Sequence, residues 1–283
     1  MKTLYYRGLL RSCNYRCGYC PFSGRRLPND EEADAAALLR FCRYVSKMDA
    51  ESVMLVPYGE AMVHPYYWEG IEALCTQPNI RRVGCQTNLS FDIEGFIARI
   101  ASYRKKIRLW CSFHPGQVTL EDFLTQCNLL WKNGVAFSVG AVGDPRHLET
   151  LQWLKVKLPK HIYFWINALK GYRYAPMDRQ AFLDIDPLFT LETSNFPADM
   201  ALCSAGRESL FVEGDGSAYA CPISRVRLGN IYKDIPLHTE NICRAAACNC
   251  YLAYVNREDA EALSLFGEER VFRINGSLGT IVI

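Results

Sequence analysis

The stretch Leu4-Tyr5-Tyr6-Arg7-Gly8-Leu9-Leu10-Arg11-Ser12-Cys13-Asn14-Tyr15-Arg16-Cys17-Gly18-Tyr19-Cys20 decides how the chain reads. An apolar strand beginning at Leu4 leads directly into a loop that carries three cysteines at Cys-x3-Cys-x2-Cys spacing. Three thiolates on one short loop can hold three irons of a cubane and leave the fourth iron without a protein ligand. An open metal position lets a cluster act on a bound molecule instead of only holding a fold. A structural zinc site usually shows paired Cys-x2-Cys knuckles and a fourth ligand, yet the spacing by itself leaves zinc open.

Downstream of that loop, short apolar runs alternate with amphipathic segments. Asn29-Asp30 open a helix with Leu38, Phe41, Cys42, Val45 and Met48 at helical spacing. Further strands are expected at 52–56, 82–86, 107–111, 136–142 and 161–166. Helices are expected from Pro65 to Cys75, along Ile93, Phe96, Ile97 and Ile100, after the Thr119 and Asp122 capping pair, and after Asp144-Pro145. Six strand–helix repeats imply a parallel sheet, open or curled, and the continuously apolar strands imply that both faces are covered. Periodicity fades over 170–200, which reads as a linker. Residues 201–250 differ again, with a hairpin-like Ser209 to Gly216 segment flanked by cysteines.

Composition narrows the function class. The 283 residues are 49% hydrophobic and 22% charged with a formal net charge of +2, an ordinary balance for a soluble protein with a large core. So small a charge gives no case for nucleic acid or an anionic membrane as a partner. The basic clusters at Arg25-Arg26, Arg81-Arg82 and Arg104 to Arg108 read as solvated rims. No apolar run approaches a bilayer span, and Met1 to Arg7 lacks a signal-peptide h-region, so the chain reads as cytoplasmic. In a reducing compartment, 13 cysteines point to metal or catalysis more than to disulfides. Eight of them fall in two groups at the ends of the chain, while Cys42, Cys75 and Cys127 sit in apolar helical patterns as small core residues.

With an aromatic residue, Tyr19, before its last cysteine, the Cys13, Cys17 and Cys20 loop resembles the radical S-adenosylmethionine (SAM) superfamily. Tyr58-Gly59-Glu60-Ala61, after the second strand, is similar to that family's Gly-Gly-Glu-Pro motif, with Tyr58 in place of the first Gly and Ala61 in place of the Pro. The resemblance covers about residues 3–168 and implies a partial (βα)6 TIM-like barrel with a small C-terminal cysteine-rich extension. It divides the chain into a barrel at 1–169, a linker at 170–200 and an auxiliary-cluster domain at 201–283. It further implies that Gly59 and Glu60 hold the SAM amino group, and that Asn88 and Ser112, ending the third and fourth strands, face its ribose and carboxylate. Asn167 would lie near adenine. His114 reads as a loop histidine satisfied by its neighbours, or as a general acid or base.

The second cysteine group narrows the subclass. Cys203-x12-Gly216-x4-Cys221, then Leu228-Gly229-Asn230-Ile231, then Cys243, Cys248 and Cys250, resembles the SPASM and twitch extensions that carry auxiliary 4Fe–4S clusters. Five cysteines suit one such cluster, on Cys203, Cys221 and two of Cys243, Cys248 and Cys250; zinc on the same residues is the competing assignment. The implied protein is a radical SAM oxidoreductase. An electron from a flavodoxin or ferredoxin reduces the SAM-binding 4Fe–4S cluster. A 5′-deoxyadenosyl radical then abstracts hydrogen from a substrate, and the second cluster assists net oxidation. The substrate is expected to be a small sugar-like or cyclitol-like molecule; the alternatives are a ribosomally made peptide that is crosslinked or oxidised, and a non-catalytic iron–sulfur or zinc scaffold.

Overall fold

The computed structural model describes residues 3–22, 30–194, 196–198, 202–224, 226–233, 243, 245–260 and 262–275. The Arg25-Arg26 cluster lies outside them. Six parallel strands form as the apolar runs require: β1 (Thr3–Tyr6), β2 (Ser52–Leu55), β3 (Arg82–Thr87), β4 (Ile107–Ser112), β5 (Ala136–Gly143) and β6 (Phe164–Ala168). Helices α1 (Glu31–Val45), α2 (Pro65–Cys75), α3 (Ile93–Arg99), α4 (Leu120–Lys132) and α5 (Leu148–Lys157) connect them. Their starts follow from local chemistry. The Asp30 carboxylate accepts from the Ala33 N–H at 2.9 Å, the Thr119 hydroxyl accepts from the Asp122 N–H at 3.1 Å, and Pro65 fills the first turn of α2. The sixth strand begins at Phe164 instead of His161, because Ile162 is drawn into a turn on Pro159.

The sheet order is β6-β5-β4-β3-β2-β1-β7-β8-β9, an unclosed and mostly parallel sheet of the partial TIM-like kind. Strand β7 (Ser209–Val212) pairs parallel with β1, and β8 (Ser217–Tyr219) and β9 (Arg227–Asn230) follow antiparallel. The hairpin-like segment thus continues the barrel sheet from its β1 edge. Within the stretch read as a linker, two helices form, α6 (Pro176–Ile185) and α7 (Phe189–Thr193). Phe182 and Phe189 bury completely and anchor them, with Tyr174 packed between.

The C-terminal segment fills the inner face of the sheet, through α8 (Tyr251–Tyr254), α9 (Ala262–Phe266) and a 3-10 turn at Gly267–Phe272. A Cβ on Gly84 would stand 2.6 Å from the Phe272 ring, so only glycine lets that ring reach the middle of β3. Arg82 and Arg108, at the N-terminal ends of β3 and β4, are not solvated rim residues. Both donate to the Glu269 carboxylate, at 2.9 and 2.8 Å, and pin the segment under the barrel. Among the described residues, no helix is long and apolar enough to cross a membrane.

Candidate active site

The cysteine loop lies over the C-terminal ends of the first three strands, where parallel α/β sheets build their sites. Its seat is Gly59. A Cβ there would stand 1.5 Å from the Ser12 carbonyl oxygen, and the next residue, Glu60, donates its N–H to that same oxygen at 3.1 Å. Cys17 is buried and Cys13 and Cys20 are half-buried; none is in a disulfide. Asn14 fixes the outer side of the loop by donating to Ser90 at 2.8 Å, and the Arg16 N–H donates to the Gln117 side chain at 2.8 Å.

Glu60 is buried at 3% exposure, and its carboxylate faces the protein interior. One oxygen accepts from the Met62 N–H at 3.0 Å and the Thr87 hydroxyl at 2.8 Å; the other accepts from the Asn88 N–H at 2.5 Å. Burial pushes this carboxyl up to about 7, against the opposing pull of those three donors. The side chain expected to hold an ammonium is therefore also a staple between the ends of β2 and β3. Asn88 is similarly engaged: its amide donates to Asn14 at 3.1 Å, and its oxygen accepts from Ser90. Leu89 follows with a φ of +60°, a strained turn that orients Asn88 toward the loop.

Ser112 lies buried at the end of β4, and Asn167 lies half-buried in β6. His114 is paired with the cysteine loop: Tyr19 Oη lies 2.9 Å from its Nδ1, and the rings stack at 6.0 Å. Burial pushes the imidazole down to about 4 and the phenol upward, so both groups are neutral where they share this hydrogen bond, whose direction the histidine tautomer sets. Tyr58, standing where the family motif has glycine, is sandwiched by the Arg7 and Arg11 guanidinium groups at 4.4 and 4.5 Å. Neither cation had a signal in the sequence, because cation–π partners have no fixed spacing.

In the second group, burial raises the Cys203 and Cys248 thiols; Cys221, Cys248 and Cys243 add to this at Cys203, and Cys243 and Cys221 do so at Cys248. Sulfur-directed donors accompany them. The Ser224 N–H reaches Cys221 Sγ at 3.2 Å, and Arg257, itself 6% exposed, hydrogen-bonds Cys248. Cys250 stands apart, pushed up to about 11 by burial and next by Glu192, with Arg7 and Arg273 opposing. Among the described residues, no three His, Cys, Asp or Glu side chains are gathered to hold one metal ion.

The sheet is mostly parallel and open, with the three-cysteine loop at the C-terminal ends of its strands. Residues 9–143 match the family model of the Radical SAM superfamily. The family implies a 4Fe–4S cluster and SAM, and three cysteines without a fourth ligand on the loop fit that cluster. The whole chain is similar in fold to native anSMEcpe with bound AdoMet, at a TM-score of 0.59 and 16% identity over 96% of this chain and 89% of that one. A second structure, native anSMEcpe with bound AdoMet and Cp18Cys peptide, gives 0.57 and 15% over 96% and 87%. The structure of BtrN in complex with AdoMet and 2-DOIA gives 0.49 and 16% over 83% and 80%. No curated protein matches the chain.

Proposed function

We propose that the chain is a radical SAM oxidoreductase that removes hydrogen from a small sugar-like or cyclitol-like substrate. The bound cluster and SAM supply a 5′-deoxyadenosyl radical, after one electron from a flavodoxin or ferredoxin. Cys13, Cys17 and Cys20 are the cluster ligands. The observation that carries this reading is the seating of their loop on Gly59 at the C-terminal strand ends, inside the family-matched segment. Glu60 keeps that seat rigid, and the backbone at Gly59 and Glu60, with Asn88 and Ser112, lines the SAM site. Tyr19 is held by His114 against the loop, which fixes the ring expected to border SAM. Buried aromatic residues below exclude water from the radical.

Cys203, Cys221, Cys243 and Cys248 are the ligands of an auxiliary 4Fe–4S cluster, supported by their mutual proximity and by the donors on Cys221 and Cys248. Such a cluster would supply an acceptor for the second electron of a two-electron oxidation, with the Ser224 N–H and Arg257 beside two of its sulfur ligands. A second reading, modification of a ribosomally made peptide, draws on the exposed Tyr172 and Met177 that follow β6 and would border an extended substrate. The test is anaerobic reconstitution, dithionite reduction and measurement of 5′-deoxyadenosine. Formation by the wild type and none by a Cys13→Ala, Cys17→Ala, Cys20→Ala variant is expected; persistent formation in the variant would sink the assignment.

A further inference from the structure

Arg273 ends the 3-10 turn of the C-terminal segment, inside the barrel, at 2% exposure. Its φ of +54° is a left-handed conformation that an L-residue with a long side chain adopts only at a cost in free energy. Three rings surround its guanidinium, Tyr251 at 3.7 Å, Trp165 at 4.3 Å and Trp110 at 4.8 Å. Rings favour a cation but do not satisfy its N–H groups. Nε is buried without a partner, and the hydrogen bond to the Asn167 side chain is long, at 3.5 Å.

Among the described residues no carboxylate lies within ion-pair distance of Arg273, although Asp186 and Glu192 stand near enough to feel its charge. The acids nearest it are already engaged. Asp186 accepts from the Tyr163 hydroxyl and from the N–H groups of Ile166 and Leu188. Glu192 accepts from the Ala168 N–H at 2.7 Å and the Tyr254 hydroxyl at 3.4 Å. Trp110 Nε1, on the ring beside Arg273, is a second buried donor without a partner. Arg273 Nε and Trp110 Nε1 are thus two neighbouring buried donors that no acceptor among the described residues meets. A buried cation with an open fork is retained against its desolvation cost when an anion completes it.

We propose that Arg273 is a substrate anchor, its planar guanidinium receiving a carboxylate of the substrate inside the barrel with the Trp110 indole N–H as an accessory donor. A carboxylate matches the fork in shape and charge where a hydroxyl does not. This deepens the proposed function and rests on its reading that substrate enters at the C-terminal strand ends. It assigns the substrate to acids, such as a sugar acid, instead of neutral sugars. The C-terminal segment then does more than fill the barrel, because it carries the specificity residue on its last turn.

Acetate is the probe, titrated into anaerobic, cluster-loaded protein with chloride as the control at equal ionic strength. Tryptophan fluorescence reports, since Trp110 and Trp165 flank the site. The wild type is expected to show a saturable change, Arg273→Met at least a tenfold weaker one, and Arg273→Lys an intermediate one, with near-ultraviolet circular dichroism unchanged. Should Arg273→Met fail to fold, the wild-type and Arg273→Lys titrations decide. The anchor is overturned by a wild type that does not saturate, or by variants that match it. Loss of the response under saturating SAM also overturns it, since the carboxylate would then be that of SAM. Wild-type 5′-deoxyadenosine formation is scored separately, so failure of the radical reading is told apart from failure of the anchor.

Discussion

The Glu60 carboxylate receives the backbone N–H of Asn88 at 2.5 Å, across the gap between the ends of β2 and β3. A motif residue expected to serve a ligand is thus also part of the scaffold. Its other oxygen is taken by Thr87 and Met62, so three donors depend on one side chain. Glu60→Ala is expected to lower stability by about 1–3 kcal/mol for each donor left unsatisfied and to loosen the cysteine loop. Denaturant unfolding of the two proteins checks it, and an unchanged midpoint would remove the staple.

The same residue sets a pH dependence. Burial raises its carboxyl from 4.5 to about 7, so the folded protein holds that proton more tightly than the unfolded chain. The Glu60 contribution to stability is thus greatest below pH 4.5 and declines as pH rises through about 7. Glu60→Gln cannot ionise and is expected to lose this decline. Unfolding midpoints measured across that window, with matching slopes in both proteins, would refute it.

Gly59 is the position where a single methyl group should separate the loop from the barrel. A Cβ placed 1.5 Å from the Ser12 oxygen meets backbone, which has no rotamer to escape by. Gly59→Ala is expected to fold yet lose the iron of the SAM-binding cluster, about four per chain. Iron analysis beside far-ultraviolet circular dichroism decides, and full iron retention would show that the loop can shift.

The two late cysteines, Cys248 and Cys250, should behave differently. Cys248→Ala is expected to lose the iron of the proposed auxiliary cluster, about four per chain, because Cys221 and Cys243 act on its thiol as they do on Cys203. Cys250→Ala should keep it, since that sulfur is placed with Glu192, Arg7 and Arg273. Equal iron loss in both variants would return Cys250 to the ligand set.

Glu269 is held between Arg82 and Arg108. Burial pushes its carboxyl up, but the two guanidinium groups outweigh that and hold it below its ordinary 4.5. The stabilisation is present above that value and is lost as pH falls through the lowered one. Glu269→Gln is expected to cost about 1.5–3 kcal/mol at neutral pH, the range for hydrogen bonds to a charged group. The cost should shrink in acid, and a cost that does not change with pH would mean the ion pairs contribute nothing.

Local rules were enough for the first six strands and for the cysteine loop, though not for the pairing of β7 with β1. Strand and helix periodicity lies in the residues themselves, as do the caps at Asp30 and Thr119, and the spacing of Cys13, Cys17 and Cys20 is local to one loop. Contacts between distant segments had no such signal. The periodicity over 170–200 is weak because its helices are short, and they are held by aromatic packing on Phe182 and Phe189. Arg82 and Arg108 look like solvated charges until Glu269, some 160 or more residues away, comes beneath the barrel. The separation of Cys250 from its neighbours, and the burial of Arg273 among three rings, likewise exist only once the C-terminal segment has entered the sheet. The sequence by itself determined the strand–helix alternation and the open three-cysteine loop, because short-range spacing and capping carry both. Only the packed chain decides which charges are buried and which cysteines are neighbours, since burial and proximity are properties of the tertiary structure.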